Sequence, residues 1–161
     1  MNNIAATNLP VEGTRAGAAI FWAGLVCGAM DITAAFVTWA VKGVMPGRIL
    51  QGIASGLLGP KSFEGGPWTA ALGGALHFLI AFSAAAVFYA ASRKIGFMIL
   101  RPFIAGVSYG VLVYGFMYWV VLPLSMARPR PFSWSATVIA ILTHMVCVGL
   151  PISLIVRMYS K

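Results

Sequence analysis

The stretch AGAAIFWAGLVCGAMDITAAFVTWAV, residues 16–41, decides the fold. A transmembrane helix needs about 20 mostly apolar residues to cross a hydrocarbon core of about 30 Å. This run exceeds that length and carries one charge, Asp31. It is too long for a signal-peptide core of about 7–15 residues and lacks a small-residue exit, so it reads as a retained span. Val26, directly before Cys27, also makes a poor lipoprotein cleavage site.

The whole chain follows the same pattern. Its 161 residues are 60% hydrophobic and 9% charged, with mean hydropathy +0.91. Soluble domains carry about 25% charged residues. A chain this apolar is a single integral membrane domain whose first partner is the lipid bilayer. The formal charge of +8 comes from 11 Lys and Arg set between apolar runs. There they flank spans and meet anionic headgroups. No basic module marks a nucleic-acid binder.

Three further runs are long enough to cross: about residues 68–92, 102–125 and 132–156. Three runs open with proline, at Pro67, Pro102 and Pro131. Proline suits a first helical turn, where its missing N–H has no partner to lose. Thr14 is a candidate N-cap for the first span. The predicted fold is all-α, a four-helix transmembrane bundle with both termini on one side. Between the first two spans, PGRILQGIASGLLGPKSFEGGP is too apolar for a solvated loop and too short for a span. Its apolar residues recur at helical spacing, which predicts a short interfacial or re-entrant helix over about 46–59.

Orientation rests on a narrow margin. Arg15, Arg93, Lys94, Arg101, Arg157 and Lys161 lie on the termini side; Lys42, Arg48, Lys61, Arg128 and Arg130 lie on the other. The short second loop is the densest basic cluster, so the positive-inside rule favours cytoplasmic termini. Trp39, Trp68 and Trp134 fall at the opposite interface, as an aromatic belt would.

Asp31 is the candidate functional residue. A charge at mid-bilayer costs a few kcal/mol and normally faces the bundle interior. Gly24, Gly28, Asp31 and Ala35 share one helical face, a small-residue surface that admits another backbone. The only histidines, His77 and His144, are also mid-span. At 1.5 Å per residue, Asp31 and His144 lie about 16 Å from the side opposite the termini, and His77 about 13 Å. Tyr114 lies about 16 Å from either end of the third span. These depths predict one buried polar cluster of Asp31, His77, His144 and Tyr114.

Three uses are open for such a cluster: a structural clamp between helices, a proton or ion relay, or a metal or haem site. Cys27 and Cys147 stand near Asp31 and His144 and could add soft ligands, although buried cysteines usually serve packing. No HExxH, CxxC or CxxCH motif is present, and no motif requires a cofactor. There is no phosphate-binding loop, nucleophile elbow or pair of carboxylates for acid–base work. A non-enzymatic accessory subunit or small transport component is the leading reading, acting with other membrane subunits or with a second copy. A membrane metalloprotein or haem protein is the alternative.

DITAAFVTWAVKGVMPGRILQGIASGLLGP, TAALGGALHFLIAF, VVLPLS and HMVCVGLP together resemble a group of short bacterial inner-membrane proteins with no assigned activity. The resemblance covers about residues 17–155. It implies four spans in a bacterial inner membrane, and it carries no activity, cofactor or site residue.

Overall fold

The computed structural model describes residues 12–128 and 132–160. All regular structure in them is helical. α1 runs Glu12–Ala40 and α2 Pro46–Leu58, followed by a 3-10 turn at Gly59–Phe63. α3 is Gly66–Ser92, α4 the short Phe97–Leu100, and α5 Pro102–Phe116. A π-turn, Met117–Val121, joins α5 to α6, Leu122–Leu124. α7, Trp134–Thr143, continues through a second π-turn, His144–Gly149, into α8, Leu150–Tyr159.

Four of these helical stretches are long and apolar enough to cross a membrane: Arg15–Ala40, Gly66–Ser92, Pro102–Leu124 and Trp134–Tyr159. The last two are the third and fourth spans below. Pro67 and Pro102 open α3 and α5 as the sequence suggests, and Pro46 opens α2. Pro131 lies outside the described residues, and the fourth span starts at Trp134 and runs past 156 to Tyr159. Thr14 is not a cap, because α1 already passes through it. Gly43 and Gly59 take φ of 70° and 62° where the chain turns into and out of α2. Side-chain-bearing residues rarely adopt that conformation.

Both π-turns have a proline as their cause. Pro123 and Pro151 cannot donate to the helical ladder, and each ring would crowd the carbonyl four residues back. The helix widens instead: the Leu122 and Leu150 N–H groups donate to Met117 O and Met145 O, five residues back. Such single wide turns are a known response to a break in the ladder.

α1 lies between α3 and the fourth span, and the third span packs on the fourth. Glycines make these contacts close. A Cβ on Gly28 would stand 2.8 Å from the Phe78 ring. A Cβ on Gly149 would run into the backbone of Gly106 and Gly110 on α5. The Tyr109 hydroxyl donates to Ala84 O at 2.7 Å and ties the third span to α3. Ser153 Oγ donates to Pro102 O at 2.8 Å.

The hydrophobic core occupies the termini-side half. Cys27, Ala81, Phe88, Ala105, Val148 and Ile152 belong to it. On the other side of this level, no residue of 29–45, 111–128 or 132–147 is buried among those described. α1 and the third and fourth spans are therefore packed at one end and exposed toward the other. α2 sits at the open end, pressed on α3, with the Leu50 carbonyl directly over Gly73. Gln51 Nε2 donates to Gly66 O at 3.0 Å, and the Met126 N–H donates to Gly56 O at 2.9 Å. α2 thus links α3 to the end of the third span.

Candidate functional site around Asp31

Asp31 follows Cys27 by one turn of α1, and Cys27 belongs to the core. Gly28, between them, receives α3. Asp31 therefore lies on the face of α1 that carries Cys27 and Gly28, at the level where the core ends. It is half-buried, and it makes no hydrogen bond or ion pair with any described residue.

His77 and His144 stand near this level but face different helices. His77 Nε2 lies 2.8 Å from Gly28 O, on α1. A carbonyl only accepts, so Nε2 carries a proton, and in a neutral ring Nδ1 is then an acceptor. His144 Nδ1 donates to Ala140 O of its own helix at 2.8 Å. Its ring meets Tyr114 edge-on at 5.6 Å, and Tyr114 stacks on Tyr118 at 5.9 Å.

The expected single cluster of Asp31, His77, His144 and Tyr114 is therefore not formed. His77 belongs to the α1–α3 contact, and His144 with Tyr114 to the contact between the third and fourth spans. The cause is rotational. Equal depth brings side chains together only if they also point at one another, and these histidines project toward different neighbours. His77 still engages the turn of α1 that leads to Asp31. Residues three apart on a helix have Cβ atoms about 5–6 Å apart, so the His77 contact at Gly28 is close to Asp31 along the helix.

The cysteines do not complete a ligand set. Cys27 is buried, with Sγ 3.5 Å from Gly24 O, and Cys147 is half-buried; both are free thiols. Among the described residues no three His, Cys, Asp or Glu side chains come together to hold a metal. Cys147 instead lines a lateral groove of about 570 Å³ in the open half, walled by Met30, Thr33 and Thr38 of α1.

The contacts that hold the third span differ in how legible they are in the sequence. GVSYG at 106–110 is a small-xxx-small pattern, and it marks where the fourth span comes closest. Tyr109 and Ser153 carry no such signal, because each bonds a backbone carbonyl that only the fold brings near. No protein-family model, curated protein or solved structure matches the chain.

Proposed function

We propose that the protein is a small, non-enzymatic transport component of a bacterial inner membrane, in which Asp31 binds and releases a proton. One observation carries this reading. A mid-span carboxylate stands where the packed half gives way to the open half, with no hydrogen-bond or ionic partner among the described residues. An intramembrane charge costs a few kcal/mol, and such groups mark ion and proton pathways. A carboxylate that clamps nothing is kept for what it binds. His77, with Nδ1 left as an acceptor beside the same turn of α1, is the second proton carrier.

The test is proton flux. The protein is reconstituted into vesicles holding a pH-sensitive dye, and a pH gradient is imposed. The unchanged protein dissipates the gradient, and Asp31→Asn, folded and monodisperse, does not. Equal rates for both, or rates equal to empty vesicles, would refute the reading.

A second reading is an accessory subunit, and the open half favours it. Trp119 is 72% exposed there, and Leu122, Ile139 and Val146 are exposed with it. A span of another membrane subunit, or of a second copy, would cover them and bring a partner to Asp31. Mild-detergent purification that leaves a larger, stoichiometric complex with the unchanged protein but not with Asp31→Asn supports this reading. The metal or haem alternative has less behind it, since the two histidines face different helices. An absorption spectrum with a Soret band, or a stoichiometric metal content, would restore it.

Cytoplasmic termini belong to the same proposal and rest on Arg93, Lys94 and Arg101 in the short second loop. In it α2 lies at the opposite interface. Reporter fusions at Lys94 and the C-terminus should report the cytoplasm and a fusion at Lys61 the other side. Lys61 and Lys94 on one side would mean that one of the first two spans does not cross.

A further inference from the structure

A second feature lies at the far end of α1, away from Asp31. The turn from α1 into α2 encloses a cavity of about 180 Å³, lined by Trp39, Val44, Arg48, Ile49, Gly52 and Phe63. We infer that this cavity holds the phosphate of an anionic lipid headgroup.

The cation is already in place. Arg48 Nη1 donates to Phe63 O at 3.3 Å, and its guanidinium carbon stands 4.5 Å from the centre of the Phe63 ring. These contacts fix the side chain with most of its five N–H donors still unused. Lys42 Nζ stands 4.6 Å from the centre of the Trp39 ring, which walls the same cavity. Neither cation forms an ion pair with a described residue, although Glu64 follows Phe63 in sequence. Arg48 also lies in the first turn of α2, a 13-residue helix whose positive dipole end adds to the field.

Position and wall chemistry choose the source of the phosphate. The apolar span of α1 ends at Ala40, so Trp39 and the cavity lie at the edge of the hydrocarbon layer, where headgroups sit. Val44, Ile49 and Gly52 give the cavity an apolar side. A soluble phosphate has no use for that side, whereas the glycerol and first acyl carbons of a lipid do. Basic pockets beside membrane helices bind anionic headgroups in this way.

The test uses the full-length protein in mild detergent, titrated with phosphatidylglycerol, phosphatidylcholine or inorganic phosphate, with bound lipid counted by native mass spectrometry and the unfolding midpoint followed in parallel. Phosphatidylglycerol should bind saturably at one site and raise the midpoint. Phosphatidylcholine should bind at least about tenfold more weakly, and millimolar inorganic phosphate should shift nothing. Arg48→Gln and Lys42→Gln should each weaken phosphatidylglycerol about fivefold, the worth of one basic residue near an anionic surface. Lys61→Gln, exposed and outside the cavity, should bind as the unchanged protein does. If Arg48→Gln does not fold, the exposed Lys42→Gln decides. Full phosphatidylglycerol affinity in the folded variants, or equal binding of the two lipids, overturns the site. A midpoint shift with inorganic phosphate alone means a soluble anion and overturns the lipid assignment.

Discussion

The two halves of the bundle are built differently. In the termini-side half, glycines and alanines let backbones touch, and Phe88, Ile152 and Val156 fill what remains with no exposed surface. In the other half α1 and the third and fourth spans have no buried residue among those described, and only α3 is covered, by α2. Val37 is 64% exposed and Trp119 72%. Both halves belong to the same four apolar helices, so an apolar surface alone does not close the bundle. In lipid, helices associate through close packing and hydrogen bonds and not through escape from water. Close packing is available where Gly24, Gly28, Gly106, Gly110 and Gly149 lie, and the bundle closes there.

The strongest way to break this comparison is to put bulk into the closed half. Gly149→Leu should lower the unfolding free energy in a denaturing-detergent titration by about 3 kcal/mol, because its neighbours are backbone and cannot move aside. Gly74→Leu, with open space around it, should stay within about 0.5 kcal/mol. Similar losses at both positions would end the distinction between packed and open halves.

Deleting bulk should show the same asymmetry. Ile152→Ala leaves a void in a site with no exposure and should cost about 2 kcal/mol or more. Ile139→Ala, 47% exposed in the open half, should cost well under half of that in the same titration.

At the boundary between the halves the sign should reverse. Asp31→Leu removes an ionisable group without orphaning a partner, so stability should rise, by about 1–2 kcal/mol. A loss of stability would instead reveal a partner inside the chain and make Asp31 a clamp.

The smallest effect sharpens the edge of the closed half. Tyr109→Phe removes the hydrogen bond to Ala84 O and keeps the edge-on contact with Phe88, at 5.0 Å between ring centres. The expected loss is about 0.6–1 kcal/mol, the worth of one interhelical hydrogen bond in a membrane protein. No change would mean that Phe88 and its neighbours hold the third span against α3 by packing alone.

Much of this protein is set by properties local to the chain. The four long helices follow from the length of the apolar runs, and α2 from apolar residues at helical spacing between Pro46 and Pro60. The depths of Asp31, His77 and His144 follow from counting along each helix, since rise per residue is fixed. The small face at Gly24 and Gly28 was also legible, because residue size needs no partner to be read. The polar cluster was not. It needed the rotation of each span and the identity of its neighbour, and counting along an axis contains neither. Only the tertiary structure sent His77 to Gly28 O, set His144 against Tyr114 and left Asp31 without a partner among the described residues. Only it left one half of an apolar bundle open. The physical reason is that depth belongs to one helix, whereas a contact belongs to two.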